Sequence, residues 1–176
     1  CKLLQGSNPC LSASYFPSMK LSIKKGFSFG LTSGVITTLG LMVGLHSSTH
    51  SQAVVIGGVL TIAIADAFSD ALGIHISEEA ENKHTTKEIW ESTLATLVTK
   101  FIFAASFLIP VLLFQLDLAV LVSIGWGVLV VGTISYSMAK AQKINPFKVI
   151  GEHVLIAIIV VALTHYTGQW IGSIFG

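Results

Sequence analysis

Asp66 and Asp70 stand four positions apart inside a long apolar stretch of this chain. Residues at this spacing share one face of an α-helix and lie one turn apart, so both carboxylates would point the same way. A charged aspartate at mid-membrane costs roughly 2.5–3.5 kcal/mol on insertion scales, and such residues are functional by default. The pair could face a polar cavity, hold a proton or bind a cation.

A carboxyl group that loses its proton when a metal ion arrives couples metal movement to proton movement. We therefore interpret Asp66 and Asp70, with Ser69 beside them, as part of a metal or proton pathway. The alternative is that both aspartates are structural, capped by hydroxyl groups such as those of Thr32, Thr37 or Ser69. We expect no lysine in the neighbouring apolar segments to neutralise them.

A second acidic group follows the aspartates. If the helix continues past Ile76, Glu78 and Glu81 share a face, and His84 follows Glu81 at one-turn spacing. Carboxylate oxygens and imidazole suit divalent iron, manganese or zinc. The alternative is a solvated face of mixed charge. The candidates for cytoplasmic metal entry are Glu78, Glu81, His84, Glu88, Glu91 and Glu152.

Glu88 has a second interpretation. Thr85-x-x-Glu88 matches a capping box, which would make this glutamate the start of a helix instead of a ligand. Farther along the chain, His165 is expected to be packed and hydrogen-bonded. A metal site at His46 and His50 is disfavoured, because the serines and threonine between them predict a loop.

The composition places these residues in a membrane. Of 176 residues, 52% are hydrophobic and 11% are charged, whereas soluble domains carry about 25% charged residues. Apolar blocks of about 18 or more residues can cross a bilayer, and within it they must be helices. We therefore predict an all-α integral membrane fold in one domain, 19–176, with five spans at about 27–45, 53–76, 94–114, 118–138 and 154–175. Residues 1–18 are expected to be a polar, disordered extension or the product of a misassigned start.

The lysines predict the orientation. Three of them, Lys20, Lys24 and Lys25, precede the first span. Two more, Lys83 and Lys87, lie between spans two and three, and three lie between spans four and five, namely Lys140, Lys143 and Lys148, whereas the other connections have none. By the positive-inside rule the amino end is cytoplasmic and the carboxyl end is outside or lumenal. The net charge of +1 argues against nucleic acid as a partner. Composition favours a prokaryotic cell membrane, with a vacuolar or other internal membrane as the alternative.

Small residues recur along the first span, at Gly26, Gly30 and Gly34. Glycines four apart let another helix backbone approach closely. This stripe predicts either packing within the chain or the seam of a homodimer.

Three segments together resemble the vacuolar iron transporter (VIT/CCC-type) family. They are the run from Gly30 to Thr38, the run Ala65-Asp-Ala-Phe-Ser-Asp-Ala-Leu-Gly-Ile-His-Ile-Ser-Glu-Glu-Ala-Glu81, and the segment from Asn145 to Gly168. The resemblance implies a five-span homodimer, paired along the first spans, that exports ferrous iron or manganese from the cytoplasm in exchange for protons. It implies no enzyme activity and no permanently bound cofactor, because the metal is cargo.

The chain departs from the family pattern in three places. Transporting members usually have an aspartate where this chain has Ser33, and often a methionine where it has Asp70. They also carry a long glutamate-rich domain between spans two and three, where this chain has only 77–93. Ser33 and Asp70 each lie six residues from the cytoplasmic end of their span, or roughly 9 Å deep. We therefore hypothesise that the carboxylate has crossed to the neighbouring helix at equal depth.

Two functions remain open. The first is a divalent metal transporter, for iron, manganese or both, working by metal/proton antiport. The second is a membrane scaffold or partner-binding protein that keeps the fold without transport, favoured by Ser33 and the short connection. An intramembrane protease is disfavoured, because the two aspartates share one helix and a glycine–aspartate motif on a second span is missing.

Overall fold

The computed structural model describes residues 20–175, and these residues are almost entirely helical. Within them, five helical segments are long and apolar enough to cross a membrane. The predicted number of spans and the all-α class are therefore confirmed. The predictions for residues 1–18 fall outside the described residues.

The helices extend beyond the predicted apolar blocks at most of their ends. Longer helices are expected, because a span continues into the headgroup region on both sides of the hydrocarbon layer. The elements are α1 Leu21–Thr49, α2 Gln52–Glu81, α3 Thr86–Ser106, α4 Leu108–Leu113, α5 Leu116–Gln142 and α6 Pro146–Phe175.

Helix α1 lies at the centre of the bundle and packs against α2, α3, α5 and α6. Its inward side chains include Val35, Leu39 and Met42, each at most 1% exposed. They pack with Val59 of α2 and Val131 of α5 in one continuous core. The outer faces of α2 and α6 are apolar and exposed, as expected of surfaces that meet lipid.

The third span consists of two helices, α3 and α4, separated at Phe107. Pro110 has no backbone N–H, and its ring crowds the carbonyl of the residue four positions earlier, which is Ser106. The break is confined to Phe107, which keeps right-handed helical angles, φ −70° and ψ −14°. Thr86–Leu113 as a whole is long and apolar enough to cross a membrane.

The first connection is shorter than predicted. The polar residues after Leu45 were expected to form a loop, but α1 continues to Thr49 and ends at His50, whose φ of 50° is left-handed. Serine and threonine hydroxyls support this last turn by bonding back to the carbonyl of Leu45. The prediction of a loop was therefore wrong, because these side chains satisfy helix carbonyls instead of ending the helix.

The glycine stripe of α1 faces α3 of the same chain. A Cβ added at Gly30 would lie 2.6 Å from the carbonyl oxygen of Thr96, and one at Gly34 would lie 3.1 Å from Cγ of Lys100. Gly26 similarly abuts the backbone of Ser92. Packing within the chain therefore occupies this face, which corrects the assignment of these glycines to a dimer seam. The homodimer itself remains a prediction.

Three of the helix ends meet at one end of the bundle. Lys20 at the start of α1 bonds Glu91 near the start of α3, and Lys25 pairs with Glu78 near the end of α2. The side chain of Ser135 in α5 bonds His153 in α6 at the same end. We call this the lysine-rich end. Among the lysines from 20 to 175, Lys100 is the most deeply buried, at 1% exposed, and it lies within the third span instead of near a span end.

Candidate functional site

The side chain of Lys100 reaches from α3 to both aspartates of α2. Its Nζ lies 2.6 Å from Oδ2 of Asp66 and also contacts Oδ2 of Asp70. Lys100 is 1% exposed, whereas the side chains of Asp66 and Asp70 are 26% and 21% exposed. The predicted pair of carboxylates therefore shares one face, as its spacing required, with a buried ammonium between them.

The expectation that no lysine would neutralise the aspartates was wrong. Lys100 lies within the third predicted span, so the sequence does contain this counterion. The lysines at the span ends follow the positive-inside pattern, and Lys100 does not. A basic residue within a span almost always faces the bundle interior and pairs with an acid. That rule predicts an acidic partner for Lys100 inside the bundle.

Ser33 and Asp70 occupy the same height in neighbouring helices. The Ser33 hydroxyl donates to Oδ2 of Asp70 at 2.6 Å and accepts from Lys100 Nζ at 2.9 Å. The expected equal depth of these two residues is thus confirmed by a direct hydrogen bond. The carboxylate of Asp70 lies beside the position where the resemblance implies a carboxylate on α1.

The hydroxyl of Thr37 donates to Oδ2 of Asp66 at 2.9 Å. It bonds the Ser33 carbonyl at 2.8 Å as well, so α1 supplies hydroxyls to both aspartates. Thr32 was named as another possible cap, but its hydroxyl bonds carbonyls within α1. The alternative in which hydroxyl groups cap the aspartates is therefore partly correct. These hydroxyls contact the aspartates together with the Lys100 ammonium, and they do not take its place.

One side of the site is open. Asp66 and Ser69 line a groove between α1 and α2, together with Leu41, Leu45 and Gly58. Ser69 is exposed in this groove, consistent with its prediction as a pathway residue beside Asp66. The carboxylates are therefore not sealed inside protein packing, which a role in binding or passage requires.

The charges leave the site incompletely balanced. Two carboxylates and one ammonium carry a formal charge of −1, in a place where water screens charges poorly. A divalent cation meeting both carboxylates would encounter the Lys100 ammonium at the same oxygens. The arrangement can therefore hold a cation, but a metal ion and Lys100 compete for the same two oxygen atoms.

A second charged cluster lies at the lysine-rich end. Glu78 is 1% exposed, contacts Lys25, and lies 3.2 Å from Nε2 of His84. Glu81 lies 3.5 Å from the same nitrogen and 3.6 Å from Lys25. The helix does continue past Ile76 as required, and three of the predicted entry residues come together.

The other three entry candidates are engaged elsewhere. Glu88 forms the capping box of α3, accepting from the backbone and hydroxyl of Thr85. Glu91 accepts from Lys20 and Ser22. Glu152 is an exposed residue of α6 whose nearest cation is Lys148, at 4.0 Å. The structure thus confirms the cap and does not join these glutamates to Glu78.

The opposite end of the bundle holds two histidine contacts. Nε2 of His46 lies 2.8 Å from Oδ1 of Asp117, and Nδ1 of His165 lies 2.7 Å from the Ser47 hydroxyl. His165 is therefore packed and hydrogen-bonded as expected. Between residues 20 and 175, no three His, Cys, Asp or Glu side chains form a group suited to hold a metal ion.

The segment from the first turns of α1 to the first turns of α3 is similar to a known family. Residues 25–91 match the sequence model described as the VIT family. The match covers less than half of the chain. The matched segment contains Ser33, both aspartates and the Glu78 cluster, whereas Lys100 lies beyond it. No curated protein and no solved structure matches the chain.

The five long apolar helices among residues 20–175 indicate an integral membrane protein. The segment that is similar to the VIT family includes the connection between α2 and α3, which is only four residues long, 82–85.

Proposed function

We propose that this chain, whose residues 25–91 are similar to the VIT family, transports divalent iron or manganese through the site formed by Asp66 and Asp70, in exchange for protons. One observation carries the proposal. Two carboxylates inside the matched family segment are held on one face of a membrane helix, and both remain partly exposed. Intramembrane acids at such a position mark ion pathways.

The chemistry of the donors favours hard or borderline divalent metals. The oxygen atoms at the site come from Asp66, Asp70, Ser33 and Thr37. Oxygen ligands suit manganese and iron(II) better than soft metals, which prefer sulfur. The aspartate that stands where transporting relatives often have methionine shifts the preference in the same direction.

In this proposal, protons move in the direction opposite to the metal ion. A carboxylate must be deprotonated to bind a metal ion, so metal binding and release are linked to proton release and uptake. The cluster of Glu78, Glu81 and His84 would attract metal at the lysine-rich end, which we place in the cytoplasm by the positive-inside rule. Transport then runs outward across a prokaryotic cell membrane, and a homodimer would pair through a face other than the one filled by α3.

The second candidate is a membrane scaffold without transport. The burial of Lys100 between the two aspartates favours it, because a buried ion pair between helices can be a purely structural element. In that case the aspartates fasten α2 to α3, and the acidic cluster at the lysine-rich end is a mixed-charge surface.

Flux measurements in proteoliposomes distinguish the two candidates. The purified chain is reconstituted, and uptake of ferrous iron and manganese is followed with and without an imposed pH gradient. Transport predicts uptake above that of protein-free liposomes, faster when the gradient drives protons the opposite way, with pH changing inside the vesicles as metal enters. A scaffold predicts uptake equal to that of empty liposomes under every gradient.

A further inference from the structure

We propose that Lys100 is a tethered cation that occupies the metal site and must be displaced before a divalent metal ion can bind. This inference rests on the proposed function and names a residue that sets its metal affinity. Two cations, the Lys100 ammonium and a metal ion, could contact the carboxylate oxygens, and in the structure the Lys100 ammonium does so.

The position of the ammonium supports direct competition. Nζ of Lys100 contacts one carboxylate oxygen of each aspartate, Oδ2 of Asp66 and Oδ2 of Asp70. These are also the oxygens to which Thr37 and Ser33 donate. A metal ion bound to both carboxylates would have to occupy the place beside these oxygen atoms where the Lys100 ammonium and the two hydroxyls converge. Two cations cannot share that point, because their repulsion at a few ångströms in a poorly screened site is large.

The protein side of the site is built to hold the lysine stem. Cγ of Lys100 lies against Gly34, and a Cβ on that glycine would be only 3.1 Å away. The close approach of α3 to α1 along the glycine stripe therefore brings the buried lysine within reach of α2. The glycine stripe, which the sequence also allowed as a dimer seam, lets α3 pack close to α1 in this chain. This packing places the Lys100 ammonium between helices.

The metal would approach from the opposite side. The groove between α1 and α2 opens on Asp66 and Ser69, whereas Lys100 enters from α3. Metal arriving through the groove meets carboxylates already neutralised in part by the ammonium. Apparent metal affinity is then the intrinsic affinity reduced by the fraction of molecules in which Lys100 has left.

Metal binding by charge variants tests this competition. Purified wild type, Lys100→Gln and Lys100→Arg are titrated with Mn²⁺, with free Mn²⁺ measured by electron paramagnetic resonance. We expect Lys100→Gln to bind Mn²⁺ about tenfold or more tightly than wild type, since the occupant is removed. Lys100→Arg keeps a permanent charge and should bind no more tightly than wild type. Lys87→Gln, an exposed lysine on the same helix, is the matched control and should equal wild type.

Labelling of the unmodified protein covers the case in which Lys100→Gln does not fold. A membrane-permeant amine reagent is applied with and without saturating Mn²⁺, and the Lys100 peptide is quantified by mass spectrometry. Displacement predicts that Mn²⁺ increases labelling of this buried amine severalfold, with Lys87 labelling constant. Equal Mn²⁺ affinity in folded wild type and Lys100→Gln, or unchanged Lys100 labelling at saturating Mn²⁺, would overturn this inference alone. Failure of both proteins to bind either Mn²⁺ or Fe²⁺ would overturn the proposed function, and this inference with it.

Discussion

The ammonium of Lys100 in α3 lies 2.6 Å from Oδ2 of Asp66 in α2 and also contacts Asp70. This ion pair connects α3 to α2 and is anchored by hydroxyls from α1. Asp66 also lines the open groove between α1 and α2. Removing one partner of a buried pair leaves the other charge uncompensated, which costs more than the pair contributes. Substitutions around this pair should therefore affect both stability and metal flux.

Exchanging the side chains of Ser33 and Asp70 tests whether the carboxylate can work from either helix. The double variant Ser33→Asp with Asp70→Ser should keep a large share of wild-type manganese flux, because the two side chains are in hydrogen-bond contact. Asp70→Ser alone should lose most of the flux. If the double variant is no more active than the single one, the carboxylate is required on α2 itself and the idea of an exchanged position fails.

Alanine at Gly30 tests the close packing of α1 on α3. Its Cβ would lie 2.6 Å from the Thr96 carbonyl oxygen, and overpacking of this kind costs about 1–3 kcal/mol. We expect a lower midpoint of thermal unfolding in detergent and reduced flux, since the register of Lys100 depends on this contact. Gly73→Ala is the matched control, because nothing lies within 4 Å of its added Cβ. Equal midpoints for the two variants would contradict the packing.

The substitution Lys25→Gln tests the cluster at the lysine-rich end. It leaves the buried Glu78 without the lysine, with Nε2 of His84 at 3.2 Å as its remaining partner, and an incompletely satisfied buried group costs about 1–3 kcal/mol. We expect a lower unfolding midpoint than for Lys148→Gln, whose pair with Glu152 is exposed and 4.0 Å long. A midpoint unchanged from wild type would show that Glu78 is adequately satisfied without the lysine.

The Glu88 cap can be separated from a metal-binding role. Thr85→Ala should destabilise the start of α3 by about 0.5–2 kcal/mol, as loss of an N-cap does. Glu88→Gln should leave metal flux close to wild type, since glutamine can also complete a capping box. A strong loss of manganese flux in a stably folded Glu88→Gln protein would instead indicate a ligand.

Much of the fold could be predicted because its signals are local. Apolar block lengths gave five helices, and the spacing of Asp66 and Asp70 gave a shared face. The equal height of Ser33 and Asp70 followed from their distances to the ends of their spans. The break at Phe107 was not predicted, because the effect of Pro110 on the backbone near Ser106 depends on how neighbouring helices support the freed backbone groups.

The partners of the site were harder to predict. Which helix would face the glycine stripe was undetermined, because such a stripe predicts only the close approach of a helix backbone and not the chain that supplies it. The grouping of Glu78 with Lys25, and the separation of Glu91 from it, depend on contacts between helices. The sequence identifies Lys100 as a basic residue within a span. Its pairing with the two aspartates could not be predicted, because it depends on the packing of α3 against α1 and α2.

The most direct test of the account is the manganese flux of Asp66→Asn and Asp70→Asn in proteoliposomes, at equal reconstituted amounts of folded protein. Asp117→Asn, which changes an exposed aspartate at the opposite end of the bundle, is the matched control. The account predicts that each site variant loses most of its flux, about tenfold or more, and that the control keeps the wild-type rate. Wild-type flux in both site variants would contradict passage of the metal ion between these carboxylates.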